Sequence, residues 1–271
     1  MRFHIRYYGI VPDSTDSDAP ADPSTVHTRR LFYAAFFIRH GDPVYDPDSL
    51  TPLGRRQAEA IAKRLAVHGI DRVFSSSSER AKQTAQPTCE LLHKELTVLD
   101  WCHENHAWAE LTVQESGRGK NWAFCDPEYR KILLSRSMTA LGDDWPSHPA
   151  FAKYPGFAAG NERIRRETYA FLAQLGYVYD KESGLYRAER PNAERVALFA
   201  HEGFGLAFLS RVLGIPYPAF SARFRIGHTG MTVLHFFENE PLTMPELLML
   251  ANDGHIYKDG LPTSYKNYIY I

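Results

Sequence analysis

A chain of 271 residues, 44% of them hydrophobic, can bury a large core as one α/β domain with an insertion or as two small domains, and the first is expected. Lysine and arginine together number 31 against 32 aspartates and glutamates, a formal charge of −1, so no basic field directs the chain to nucleic acid or to an anionic membrane. Any anion site must be local. The three cysteines, Cys89, Cys102 and Cys125, contain no Cys-x-x-Cys pair and imply reduced thiols rather than a disulfide framework. No apolar run approaches the ~18 residues of a membrane span, and Met1 to Arg6 lacks the apolar core of a signal peptide, so a soluble cytoplasmic protein is expected.

In chain order, residues 1–30 read as a flexible N-terminal extension, because the stretch from Pro12 to Pro20 is too polar to bury enough surface to order itself. The domain proper is expected over residues 31–271. Its first strand is the apolar run Tyr33 to Ile38, buried on both faces and ending in Arg39-His40-Gly41-Asp42. Asp42 to Leu50 reads as a loop with two prolines. Thr51 as N-cap with Pro52 at the first helical position starts a helix whose buried stripe is Leu53, Ala58, Ile61, Ala62 and Leu65, closing at Gly69. A strand over Asp71 to Ser75 runs into Ser76-Ser77-Ser78, whose last members can cap a helix beginning at Glu79. Pro87 is expected to kink that helix or restart it.

After a short strand at Thr97 to Leu99, residues from about 100 to 160 change texture. All four tryptophans fall there, and the segment reads as a cap inserted over the sheet. A helix is expected from Asn161, with Asn161 as its cap and Ile164, Thr168, Phe171, Leu172 and Leu175 on its apolar face. Tyr177 to Arg187 suggests a hairpin. Arg195 to Ala200 is a second buried strand, ending in His201-Glu202-Gly203, and is followed by a helix from Phe204 to Leu213. Strands near Thr232 to Phe237 and Leu247 to Ala251 complete a three-layer α/β/α arrangement with a mainly parallel central sheet.

Two buried strands that each deliver a histidine, with Arg39 and Arg80 just after strands, place four cationic or hydrogen-bonding groups where open α/β sheets bind ligands. Arginine suits bidentate contact with phosphate oxygens, and two of them match the charge of a phosphomonoester dianion. One unprotonated histidine can take the phosphoryl group covalently while the other donates to its oxygens.

These residues carry a resemblance to the histidine phosphatase superfamily, also called phosphoglycerate mutase-like, over about Phe36 to Tyr257. It rests on Phe37-Ile38-Arg39-His40-Gly41, on Leu50-Thr51-Pro52-Leu53-Gly54 with Gln57-Ala58, on Ser76 to Ala85, and on Ala200-His201-Glu202-Gly203. The resemblance implies that His40 is the phosphorylated nucleophile and that Arg39, Arg80 and His201 hold the phosphoryl group, with Glu202 and Gly203 beside them. It also implies that no metal or other cofactor is needed. A general acid is implied in the insertion, with Glu104 in the family's usual place and Glu110 in reserve. Asp42, Trp108 and His228 are further pocket candidates.

The chain departs from the mutase branch at Asp42-Pro43-Val44-Tyr45, at Phe204-Gly205-Leu206-Ala207, and in having Glu202 between His201 and Gly203. These departures point to a phosphatase acting on small-molecule phosphomonoesters, with mutase-type phosphoryl transfer as the alternative and a non-catalytic phosphate-binding protein on the same fold as a remoter one.

Three other signals have plainer readings. Cys102, His103, Glu104 and His106 are dense in metal-ligand types, but lack the His-Glu-x-x-His spacing that puts two histidines on one helical face. Gly203-Phe204-Gly205 hints at a dinucleotide fingerprint, yet its third glycine would fall on Phe208. The tryptophans serve equally as core of the insertion or as a partly apolar substrate wall.

Overall fold

The computed structural model describes residues 33–115, 117–190, 192–237, 240–266 and 269–270, so the extension expected over residues 1–30 lies outside the described residues. The apolar run forms β1 (Tyr33–Arg39), in which Ala34, Phe36, Phe37 and Ile38 are each at most 3% exposed. The following loop is not irregular as expected. It is a hairpin of β2 (Pro43–Tyr45) and β3 (Asp48–Leu50), with the Asp46–Pro47 peptide bond cis. Helix α1 (Pro52–His68) starts as the sequence indicates, with the Thr51 hydroxyl accepting from the Gly54 N–H at 3.0 Å, and stops at Gly69, whose φ of 71° only glycine adopts freely.

β4 (Arg72–Ser76) leads through the Ser78 cap into α2 (Glu79–Leu92). Pro87 does not restart this helix, which runs through it unbroken: its ring removes one backbone bond, but the buried Ala85, Thr88 and Cys89 on either side hold the turn in place. β5 (Leu96–Leu99) is the sheet edge.

Between β5 and the next long helix lie α3 (Glu104–Glu110), the two-residue strands β6 (Thr112–Val113) and β7 (Asn121–Trp122), and the short helices α4 (Pro127–Leu133) and α5 (Arg136–Ala140). Helix α6 (Gly156–Gln174) begins five residues before the expected Asn161 cap. Asn161 is interior to it, and its Oδ1 instead accepts from Trp145 Nε1 at 3.1 Å and Arg211 Nη2 at 2.5 Å. The hairpin β8 (Tyr177–Tyr179) and β9 (Tyr186–Ala188) buries Tyr177 and Tyr186 against Phe236.

β10 (Arg195–Ala200) is followed immediately by α7 (Glu202–Val212), which starts two residues earlier than expected, and then by α8 (Tyr217–Ser221). β11 (Met231–Phe236), β12 (Leu242–Thr243), β13 (Glu246–Asn252), α9 (Gly254–Lys258) and a final strand pair, β14 (Ser264–Lys266) and β15 (Ile269–Tyr270), complete the described chain.

The central sheet has the order β13-β11-β1-β10-β4-β5, with β1, β10, β4 and β5 mutually parallel and β11 reversed between β1 and β13. Alternation along β1 divides the core between two layers. Ala34, Phe36 and Ile38 pack with Ile61 and Leu65 of α1 and Ala85 and Cys89 of α2, whereas Phe37 packs with Phe204 and Phe208 of α7. Trp145, Phe151 and Tyr129 of the inserted segment join the second cluster. The result is a three-layer α/β/α fold with a mainly parallel sheet. Among the described residues no helix is long and apolar enough to cross a membrane.

Candidate active site

Register builds the site. Arg39 of β1 lies level with Ala200 of β10, so the next residues, His40 and His201, leave adjacent strand ends side by side, and the His40 N–H donates to the Ala200 carbonyl at 2.9 Å. Their ring centroids are 5.2 Å apart. His40 Nδ1 lies 2.7 Å from the Gly41 carbonyl, which can only accept, so Nδ1 carries the proton and Nε2 keeps its lone pair. Burial first, then the neighbouring His201, Arg39 and Arg80, holds the His40 imidazole well below its ordinary pKa, which favours the neutral form.

Gly41 is required here by space. A Cβ on it would meet the Gly54 carbonyl oxygen at 2.6 Å, and one on Gly54 would meet the Asp42 carbonyl oxygen at 2.2 Å, so the loop after β1 lies directly on the first turn of α1. The Gly41 N–H donates to Thr84 Oγ1 of α2 at 3.0 Å, fixing the same loop from its other side.

His201 is fully buried. Its Nδ1 accepts from Arg80 Nη2 at 3.3 Å, so Nε2 holds the proton and donates to Ser76 Oγ at 2.8 Å, with Ser78 Oγ at 3.3 Å. Burial, followed by Arg80, depresses its pKa as well. The serine run at the end of β4 is thus more than a cap: Ser76 orients the second histidine, a role its sequence position did not signal.

Each arginine is held by a carboxylate. Arg39 Nη1 donates to Glu202 Oε2 at 3.2 Å and to the Ile226 carbonyl at 2.7 Å. Arg80 Nη1 donates to Asp48 Oδ1 at 2.7 Å, and Asp48 Oδ2 accepts from the Glu79 N–H. Both guanidinium groups are at least nine-tenths buried. Glu202, expected in the phosphate-binding set, instead accepts from Arg39 Nη1 through Oε2 and from the Ile226 N–H at 3.3 Å through Oε1. Asp48 did not stand out in the sequence because it lies in what reads as a polar loop.

Arg39, His40 and Arg80 open onto a cavity of about 840 Å³, which Asp48, Glu104 and Glu202 also line. Glu104 sits in the first turn of α3 and reaches the start of α7, accepting from the Gly203 N–H at 2.9 Å through Oε1 and from the Phe204 N–H at 3.1 Å through Oε2. It thereby satisfies donors that a helix N-terminus leaves open. Burial pushes its pKa up to about 7 against the pull of those two N–H groups. The N–H of Gly203, a residue expected in the phosphate-binding set, is occupied by this contact, and a Cβ on Gly203 would meet the Trp122 ring at 2.4 Å.

The remaining candidates separate. Glu110, the reserve acid suggested by the sequence, is clamped by Arg163, whose Nε and Nη2 each donate to it at 2.7 Å, and it is absent from the cavity wall. Asp42 turns to Thr51 Oγ1 at 2.7 Å, and His228 lies buried behind His40, its ring centroid 5.8 Å away; neither lines the cavity. Burial and then Arg39 lower the His228 pKa to about 2. Trp108 and Trp122 do form cavity wall, whereas Trp145 is fully buried core. Cys102 Sγ donates to the Leu99 carbonyl, His103 Nδ1 accepts from the Asn105 N–H and His106 pairs with Asp100, so the four ligand-type residues of that segment diverge. Gly205 serves packing: a Cβ there would meet Phe37 Cζ at 2.3 Å.

The family model of the histidine phosphatase superfamily (branch 1) matches residues 35–131, the stretch that contains Arg39, His40, Arg80 and Glu104. Over that stretch, and in its fold, the chain is similar to the histidine phosphatase superfamily. Among solved structures it is similar to a phosphoserine phosphatase mutant from Entamoeba histolytica in complex with phosphoserine, at 18% identity and a TM-score of 0.51, over 83% of this chain and 99% of that one. A putative alpha-ribazole-5'-P phosphatase from Escherichia coli is 19% identical with a TM-score of 0.51, over 82% and 97%. A mycobacterial glucosyl-3-phosphoglycerate phosphatase is 19% identical with a TM-score of 0.50, over 80% and 98%. At these identities the likeness is one of fold. No curated protein matches the chain.

Proposed function

We propose that this protein is a phosphatase that hydrolyses small-molecule phosphomonoesters through a phosphohistidine on His40. The observation that carries the reading is the His40 ring itself. Its Nδ1 proton is committed to the Gly41 carbonyl at 2.7 Å, its Nε2 is unprotonated, and Arg39 and Arg80 flank it in one cavity. Nε2 attacks phosphorus as the ester P–O bond breaks, and the leaving oxygen takes a proton from Glu104. Arg39 and Arg80 stabilise charge on the equatorial oxygens. Glu104, now a carboxylate, accepts a proton from water as that water attacks phosphorus, and the P–N bond breaks to release inorganic phosphate and restore His40.

His201 serves this sequence when a phosphoryl oxygen displaces Arg80 from Nδ1. It must then carry protons on both nitrogens, one directed to Ser76 and one to the phosphoryl group.

A panel of phosphomonoesters assayed in excess chelator, with His40→Ala as control, tests the reading. Phosphate release should persist in chelator and vanish in the variant, and alkaline quenching during turnover should trap label on His40. Activity abolished by chelation would overturn it. Mutase-type transfer predicts instead that phosphoglycerates are isomerised in preference to releasing phosphate, and product analysis separates the two.

A further inference from the structure

We propose that the leaving group of the substrate is a large, flat aromatic alcohol that carries no negative charge of its own. This rests on the phosphatase reading above, and three properties of the cavity lead to it. The first is size: about 840 Å³ lies in the upper part of the range for small-molecule sites, about 300–1,000 Å³, far more than a phosphoryl group at His40 fills.

The second is charge. Among the described residues no lysine or arginine lines the cavity beyond Arg39 and Arg80, and both are already paired, with Glu202 and Asp48. A phosphoryl dianion draws on both guanidinium groups. A second anion on the leaving group would face the carboxylates Asp48 and Glu202 with no cation assigned to it, and like charges brought together on binding are unfavourable. The exposed Lys120 is engaged over the Trp108 ring, 5.5 Å from its centroid, and is not part of the wall.

The third is shape. Trp108 and Trp122 meet at 80° with centroids 5.1 Å apart, forming an aromatic corner, and Trp122 is braced by Phe124, stacked at 5.5 Å, and by Gly203. A flat ring laid on one indole meets the other edge-on, the two arrangements aromatic pairs prefer. Asn105 and Asn121 on the same wall offer amide groups, which suit neutral oxygen or nitrogen atoms on that ring.

Benzyl phosphate, 4-carboxybenzyl phosphate and ethyl phosphate all release alcohols, so their comparison isolates recognition from leaving-group chemistry. Benzyl phosphate should exceed its carboxylated counterpart in kcat/KM by about tenfold or more. Trp108→Ala should cut the benzyl-to-ethyl ratio by about 2- to 10-fold, mainly through KM, with Trp108→Phe restoring part of it. Equal or better turnover of the carboxylated ester, or a ratio indifferent to both Trp108 variants, overturns the inference. If no ester is hydrolysed, the phosphatase reading fails separately. Calorimetry with benzylphosphonate and 4-carboxybenzylphosphonate then decides this inference, since equal affinities sink it.

Discussion

The proposed mechanism gives Glu104 a second role, and the two draw on opposite charge states. As a carboxylate it accepts from the first N–H groups of α7; as a general acid it must carry a proton, and burial pushes its pKa up to about 7 so that both forms are populated near neutrality. The acid role predicts that kcat/KM for an alkyl phosphate falls as pH rises through about 7, because the protonated form is lost, while p-nitrophenyl phosphate, whose leaving group needs no proton, shows no such limb. Glu104→Gln should slow the alkyl ester by roughly 10²- to 10⁴-fold and the nitrophenyl ester little. Equal slowing of both would leave only the capping role. The arginines give a second residue-scale prediction. Arg80 spends Nη1 on Asp48 and Nη2 on His201, a fork that a lysine cannot reproduce, so Arg80→Lys should recover only a small part of the activity that Arg80→Ala loses. Full activity in the lysine variant would mean that one charge suffices there. Both arginines were legible in the sequence because each lies at or shortly after the end of a strand. Their pairing with Asp48 and Glu202 was not, because it depends on contacts the local pattern does not encode, although Glu202 itself was already a site candidate.

The element that mounts His40 is the junction of β1 with α1, where two glycine backbones touch. Helix propensity alone predicts that Gly54→Ala stabilises α1 by about 1 kcal/mol. The 2.2 Å approach of that Cβ to the Asp42 carbonyl predicts the reverse, a destabilisation of about 1–3 kcal/mol in urea unfolding together with a fall in kcat/KM, as the loop carrying His40 is pushed away. A stabilised, fully active Gly54→Ala would contradict the contact. Elements whose ends carry their own stop and start chemistry were readable in advance, among them α1 between Thr51 and Gly69. The start of α6 was not, since Gly156 offers no side-chain cap and Asn161, a plausible one, is used for Trp145 and Arg211.

Across the whole molecule, function loads the core with neutral histidines. His40, His201, His228 and His255 are all buried with pKa values below 6.5, the last lowered to about 4, in each case chiefly by burial. The unfolded chain takes protons on these groups near 6.5 while the native state resists them, so stability is fully present above that pH and is lost as pH falls below it. Glu104 acts in the opposite sense between 7 and its ordinary range, gaining stability as it protonates, but one carboxylate offsets only one histidine. Urea unfolding at pH 7.5, 6.5 and 5.5 should therefore show a midpoint that drops steadily through the two lower values, with a slope above one proton. His228→Gln should reduce that slope by up to about 1.4 kcal/mol per pH unit. A flat profile would show that these rings are hydrated in solution.

By itself the sequence determined what is local: two apolar runs that must be buried strands, the histidines and arginines at strand ends, the caps at Thr51 and Ser78, and the order of motifs that resembles histidine phosphatases. Only the tertiary structure decided which of two insertion glutamates lines the cavity with His40, which tryptophans are wall and which are core, that Ser76 orients His201, and that Glu202 and Asp48 hold the arginines. Periodicity and capping act over a few residues and leave a mark on neighbouring positions. Contacts such as Glu104 with Gly203, or Arg39 with Glu202, join residues about a hundred or more positions apart, and arise only because β10 inserts between β1 and β4 and α3 reaches the start of α7.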